Sequence, residues 1–322
     1  MHDLDQPPAS FLDAQGSPQQ GAYAGVIPQA GLAAGLRKKT WRYAGVFHQD
    51  LFLGVAIADL GYLGLTFVYV ADGGRMYEVA WKSPGAIGMR VGAAAGTSVA
   101  MAPGRLVSLA PTQAGGVTVA IEVPGIRANL DIAGGATPLT VVSDVGRGTG
   151  RAGMTVKQAG PVATGTICVQ GRSYTLTEGR ACLDFTEAFF PRRTVWSWAT
   201  AGGRTLAGQA FGFNLARGVH DDVQGRFTEN ALWVDGMPAA LPPVTFTPAP
   251  GLAAWSMRSA DGAVDLTFSP RGERGEDVNF LLVSSRYRQP FGTFSGQLRD
   301  ARGRQVQIAD VPGVTEEHAA LW

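Results

Sequence analysis

Carboxylates set beside aromatic and basic residues are the groups in this sequence that could do chemistry. Asp184, with Glu187 nearby, stands ahead of Phe189-Phe190 and Pro191-Arg192-Arg193. Glu229-Asn230 opens the run Ala231–Val234, and Glu316-Glu317-His318 lies close to the end of the chain. A carboxyl group against aromatic bulk is held toward its neutral form, so it can give a proton to a substrate. A competing use of Asp184 is an ion pair with the arginines that follow it. His318 beside Glu317 has the make-up of a proton shuttle, with helix-end electrostatics as the plainer use. Asp184, Glu229, Glu317 and His318 are therefore the candidate catalytic groups. His220-Asp221-Asp222 also joins a histidine to acids, but a solvated turn accounts for it, and neither cluster has zinc-ligand spacing, so no metal is expected. No phosphate loop of the Walker type, no GxSxG elbow, no HExxH and no CxxC pair occurs, and no cofactor is expected. Gly148-Thr149-Gly150 sits among arginines but opens no helix, which makes it a poor phosphate cradle.

The segments that carry these groups read as strands. Thr194, Trp196 and Trp198 share one face, and Arg193, Val195, Ser197 and Ala199 share the other. Phe211, Phe213 and Leu215 fall together, which turns Asn214 the opposite way with Gly212 and Ala216. Asn230, Leu232 and Val234 alternate with Ala231, Trp233 and Asp235. Gly202-Gly203 and Asp221–Gly225 supply turns, so the spacing predicts a three-stranded meander. Alternation leaves open which face of Arg192–Thr200 looks inward. The tryptophans, with Phe211 and Phe213, either line an apolar cavity or fill a barrel core. Aromatic residues interleaved with Asn, Thr and Arg are how ligand pockets are lined, so a cavity in the second half is expected. Its candidate ligand contacts are Arg192, Trp196, Trp198, Asn214, Asn230 and Trp233. The competing use of Asn230 is a structural amide, and Asp235-Gly236 reads as an ordinary turn.

Composition supports this reading. Hydrophobic residues make up 45% of the 322, enough for a sizeable interior, whereas only 16% are charged. The 44 Gly and 19 Pro break helices and favour short strands with tight turns. A net charge of +1, with Arg37–Lys39 the only basic run, excludes a nucleic-acid partner. Two cysteines, Cys168 and Cys182, suit free thiols in a reducing compartment, hence a cytoplasmic location. The N-terminus carries acid before any apolar run, unlike a secretory signal. Leu51–Val70, the most apolar window, is broken by Asp59 and glycines and reads as two strands rather than a transmembrane segment.

Taken in order, Met1–Gly21 is a polar tail, poorly ordered or draped over the surface, and Ala22–Leu36 is a short helix or a loop. From Thr40 onward roughly twenty short strands follow, separated by Gly- and Pro-bearing turns. Ser259-Ala260-Asp261-Gly262 is a hairpin signal, and the strands Phe280–Ser285 and Phe291–Leu298 could cross a barrel wall. Gly313–Trp322 reads as a short helix with Thr315 as N-cap, and Thr177–Phe190 is a second helix candidate. The fold class is all-β: two lipocalin-like antiparallel barrels, or paired curved sheets, with few short helices. Residues 1–39 form a lead-in, 40–172 the first barrel and 173–322 the second, which carries the aromatic and Asn-rich motifs.

PRRTVWSWA, GFNLARG, ENALWVDG, DGAVDLTFSP, RYRQPFGTFSG and the terminal GVTEEHAALW, with TWRYAGVF near the start, resemble the bacterial "domain of unknown function 2804" family. The likeness spans most of the chain from Thr40. It implies no reaction. By architecture and by its Trp- and Asn-rich strands, the chain is also similar to tandem lipocalin-like proteins of the carotenoid 1,2-hydratase and tocopherol cyclase group. That second resemblance implies an isoprenoid substrate protonated at a double bond. Asp184, Glu229 or Glu317 would be the donor, and Trp196 or Trp198 would stabilise the cation. Three functions follow as expectations: binding of a lipophilic small molecule of isoprenoid or fatty-acyl type, a cofactor-independent hydratase, cyclase or isomerase, or a structural protein with packed barrels.

Overall fold

Residues 3–28, 31–33, 35, 37–49, 51–146, 151–280 and 283–322 are described by a computed structural model, and none of them is helical. Gly148-Thr149-Gly150 lies outside them. The first sheet comprises β1 (Gly21–Ala24), β2 (Lys39–His48), β3 (Leu51–Asp59), β4 (Leu63–Asp72), β5 (Arg75–Pro84), β6 (Met89–Arg90), β7 (Ser98–Ala102), β8 (Arg105–Pro111), β9 (Val117–Val123), β10 (Ile126–Ile132), β11 (Leu139–Asp144), β12 (Ala152–Val169) and β13 (Arg172–Ala188). The second comprises β14 (Arg193–Arg204), β15 (Ala210–Arg217), β16 (Ala231–Val234), β17 (Met237–Ala240), β18 (Val244–Thr247), β19 (Trp255–Ser259), β20 (Val264–Phe280), β21 (Val283–Arg299) and β22 (Gln305–Leu321).

Strand order in the first sheet is β5-β4-β3-β2-β13-β12-β10-β9-β8-β7-β6, with β11 pairing the start of β12 and β1 pairing β11. In the second it is β17-β16-β15-β14-β22-β21-β20-β19-β18. Each sheet curls: β6 and β7 come back against β3, and β18 against β15. The result is two lipocalin-like antiparallel barrels. The first is filled by aliphatic side chains such as Leu53, Ile57, Val68, Leu109 and Ile167. The second is filled by larger ones, among them Phe213, Trp255, Phe268 and Phe294.

The meander β14-β15-β16 and the hairpin at Ser259–Gly262 are as the turn chemistry predicts. The two helices are not. Gly313–Trp322 continues strand β22, paired to β14 with Glu316 opposite Trp198 and His318 opposite Trp196. The Thr315 hydroxyl donates to the Trp198 carbonyl instead of capping a helix. Thr177–Phe190 likewise lies largely in β13, paired to β2. In both segments the long ladder outweighs local capping signals, as tertiary pairing often does. The expected boundary between residues 172 and 173 falls at the β12–β13 hairpin, and the chain leaves the first sheet only after Ala188. The polar lead-in is draped over the molecule and held there. Phe11 and Ile27 are buried against Val142, Met154 and Phe185, and the Asp3 carboxylate accepts from Arg302 and the Ala240 amide.

Backbones of the two barrels touch at one seam. A Cβ on Gly212 of β15 would lie 2.3 Å from the Ala159 carbonyl of β12, and one on Gly202 of β14 would lie 2.8 Å from the Gly160 Cα. Only residues without a side chain allow this approach. Gly212→Ala should therefore lower stability by ~1–3 kcal/mol in urea denaturation, the usual cost of overpacking. Gly275→Ala in β20, whose nearest neighbour stands at 3.4 Å, should change it little; equal midpoints for the two variants would refute the seam.

Candidate functional site

Strand alternation puts one face of β2–β4 and β13 into the first barrel and the other toward the second barrel. Tyr43, Phe47, Phe52, Tyr69 and Cys182 thus meet Trp198, Phe291 and Val314 across the gap. Alongside this packed part the gap widens into a cavity of about 230 Å³. Trp41, Tyr43, Ala56 and Phe67 line it from the first sheet, and Trp196, Trp198, Ala216 and Tyr287 from the second. Leu60, Tyr62, Leu63, Lys82, Glu276 and Val278 form its more exposed rim. The cavity thus lies between the barrels and not within the second one, contrary to the expectation from sequence. That interior is filled by Phe211, Phe213 and their partners, because Ala199 and Ala201 are the β14 residues facing it and the tryptophans look outward.

One wall is a run of stacked rings. Trp41 lies between Phe190 and Trp196, with centroids 5.3 and 6.0 Å away, and Phe190 continues to Trp322 at 6.1 Å. His318 leans on Trp196 at 4.2 Å, with its Nε2 held 2.8 Å from the Ser285 hydroxyl. Burial and the positive charge of Arg274 push the His318 pKa well down, so its ring is neutral.

Among these rings sit buried ionisable groups. Lys157 on β12 places Nζ 2.9 Å from Asp184 and 3.5 Å from Glu229. Burial alone would lower its pKa, but the two carboxylates outweigh that and raise it, so the ammonium stays charged. Asp184 also accepts from the Trp41 indole at 3.1 Å and from the Thr155 and Thr186 hydroxyls. Glu229 has fewer donors. Burial pushes its pKa up to about 7, with Asp184 and Asp221 adding to the rise and Lys157 opposing it.

Glu316 on β22 is the second such acid. It accepts from Trp196 Nε1 and Gln289 Nε2, each at 2.8 Å, and is bonded to Tyr287. Gln289 is itself oriented by the Tyr69 hydroxyl. Burial still lifts the Glu316 pKa to about 7 against these donors.

The candidates from sequence divide accordingly. Asp184, Glu229, His318, Trp196 and Trp198 all line the cavity. Glu317 points to the other face of β22, beside Arg288 at 3.8 Å. Asn214 stands behind the wall, accepting from Trp198 Nε1 and donating to the Glu229 carbonyl, each at 2.7 Å. Asn230 ties the Ala216 amide to the Pro242 carbonyl, and Trp233 donates to the Thr137 carbonyl at the barrel seam. Arg192 Nη1 reaches the Trp322 carbonyl at 3.1 Å. Lys157 is not among the sequence candidates, Glu316 is named there only as a neighbour of the chosen Glu317 and His318, and His220 proves to be buried, 2.8 Å from the Ser143 hydroxyl, where a solvated turn was expected. One signal for Lys157 existed: it is one of only four lysines in the chain and sits mid-strand. Both cysteines are free thiols. Among the described residues no cluster of three or more metal-ligating side chains occurs, and no helix is long and apolar enough to cross a membrane.

A family model described as domain of unknown function (DUF2804) matches residues 2–322. The chain belongs to this family. Comparison with curated protein sequences finds no match. Among solved structures, this DUF2804 chain is similar to CghA in the structure with Sch210972, at 13% identity and a TM-score of 0.56 over 99% of this chain and 98% of the other. A candidate AttH from Nitrosomonas europaea gives 15% identity and a TM-score of 0.53 over 91% and 98%. Kievitone hydratase from Nectria haematococca gives 10% identity and 0.45 over 88% of each chain. The first two share the paired-barrel fold.

The raised carboxyl pKa values make a testable link to stability. Each acid binds its proton more tightly folded than unfolded, where the ordinary value is 4.5. Their contribution is therefore full below pH 4.5 and is lost as pH rises to about 7. Glu316→Gln should flatten the fall in urea-unfolding free energy across that window by up to ~1.4 kcal/mol per pH unit, one proton's worth. An unchanged slope would mean that Glu316 titrates normally.

Proposed function

We propose that the protein binds a lipophilic small molecule in the cavity between its barrels. The observation that carries this reading is a cleft, open at its rim, walled by Trp41, Trp196, Trp198, Phe67 and Tyr287 with a few buried polar groups converging on it. Such walls, with sparse polar fixing points, are the common make-up of small-molecule sites. A volume of about 230 Å³ suits a short isoprenoid or the head of a fatty-acyl chain better than a long polyene. Protein purified from cells and extracted with organic solvent should yield such a compound by mass spectrometry. Ala216→Phe, which fills the cavity from β15, should yield none while keeping the wild-type circular dichroism. Equal amounts from both proteins, or an empty extract from each, would count against the proposal.

A second reading is acid–base catalysis on that ligand, favoured by Glu229 and Glu316 with pKa values near 7 at an aromatic wall. A carboxyl at this pKa is poised to give a proton near neutral pH. In this scheme the acid protonates a carbon–carbon double bond, forming a C–H bond. The resulting cation, faced by Trp196 and Trp198, either takes up water, whose extra proton then passes to the carboxylate, or loses a neighbouring proton to the carboxylate; either way the carboxyl acid is restored. Asp184, bonded to Lys157, serves as counter-ion. Incubating the protein with its extracted ligand in heavy water should place deuterium on carbon, and the rate should drop about 10²–10⁴-fold, the usual worth of general acid catalysis, in either Glu316→Gln or Glu229→Gln. Unlabelled ligand would leave a carrier and no enzyme, and full labelling by both variants would rule out these two acids as the donors.

A further inference from the structure

His220 lines the cavity and is 3% exposed. Its Nδ1 is taken by the Ser143 hydroxyl at 2.8 Å, and its Nε2, equally buried, has no hydrogen-bond partner among the described residues. Buried polar atoms are nearly always bonded, and leaving one unmade is costly. The ring is neutral, because burial and the nearby Lys157 charge drive its pKa down to about 3. It therefore carries one N–H. The Ser143 hydroxyl can donate to Nδ1 or accept from it; when it donates, that hydrogen sits on Nε2, and when it accepts, Nε2 is itself an acceptor that a ligand hydroxyl can satisfy. Lys157, which also lines the cavity and is close enough for its charge to act on His220, bonds Asp184 at 2.9 Å and Glu229 at 3.5 Å, and its ammonium favours an electron-rich atom beside it.

We infer that the buried part of the cavity recognises an oxygen function, a carbonyl or a hydroxyl, on an otherwise apolar ligand, with His220 Nε2 as its hydrogen-bond partner and Lys157 supplying the favourable field. This rests on the ligand-binding reading above and narrows it. The apolar remainder of the ligand lies along Trp41, Trp196 and Leu63 toward the rim. Ser143 positions the imidazole and does not touch the ligand. Discrimination arises because a hydrocarbon of the same skeleton leaves Nε2 unbonded, whereas an oxygenated one satisfies it.

Three probes of one skeleton test this by quenching of tryptophan fluorescence: myrcene, geraniol and geranial. The wild-type protein should bind geraniol and geranial about tenfold or more tightly than myrcene, the effect of one buried hydrogen bond. His220→Phe should bring the three affinities within about threefold by weakening only the oxygenated pair. Should His220→Phe fail to fold, imidazole nitrogen NMR of the wild-type protein reads the same contact. The His220 Nε2 signal should move with geraniol and stay in place with myrcene. Binding of all three without discrimination, or a preference that survives His220→Phe, overturns this inference alone. If none of the three binds, the ligand-binding reading is overturned and this inference with it.

Discussion

Strands β2, β3, β4 and β13 have to bury both of their faces. An antiparallel strand usually shows one face to a core and the other to water, and its sequence then alternates. Here Leu51–Ile57 and Phe67–Ala71 are buried at every position. One set of side chains fills the first barrel and the other meets the second barrel. Everything about the site follows from that second contact. Phe47, Phe52 and Tyr69 meet Phe291 across the gap. The seam at Gly160, Gly202 and Gly212 brings backbones into contact. Where neither the rings nor the glycines close the gap, a cavity is left with walls contributed by both halves of the chain.

Charge inside such a gap is costly unless it is paired. Lys157 meets this condition by facing two carboxylates, and Asp184 meets it with an ammonium, an indole and two hydroxyls. Glu229 and Glu316 are less fully compensated, and their protons are held up to about neutral pH. The cavity thus combines an apolar wall, a fixed positive charge and two acids that change state near pH 7. The neutral rings of His220 and His318 add hydrogen-bonding capacity without adding charge.

Local chemistry in the sequence was enough to reach the fold class. Gly and Pro spacing marked most of the turns, and alternation recovered the β14-β15-β16 meander. What it could not supply was the identity of the partner surface. Period-two reasoning groups Trp196 with Trp198, but whether that face meets a barrel interior or another barrel depends on residues far away in sequence. Glu316 was missed for a related reason. With Gly313–Trp322 read as a helix, Glu316 and Glu317 looked equivalent, whereas in a strand one faces the cavity and its neighbour faces away. His220 was hidden because its partner, Ser143, lies 77 residues away.

The central claim is that the binding space lies between the barrels and not inside either one. Photo-crosslinking of the purified protein with a short-chain diazirine alcohol, followed by peptide mass spectrometry, tests it most directly. Labels should fall on cavity-facing residues of both halves, such as Trp41 and Tyr62 from the first and Trp196 and Tyr287 from the second. Labelling confined to Trp255, Met257 and Phe268, inside the second barrel, would contradict the account.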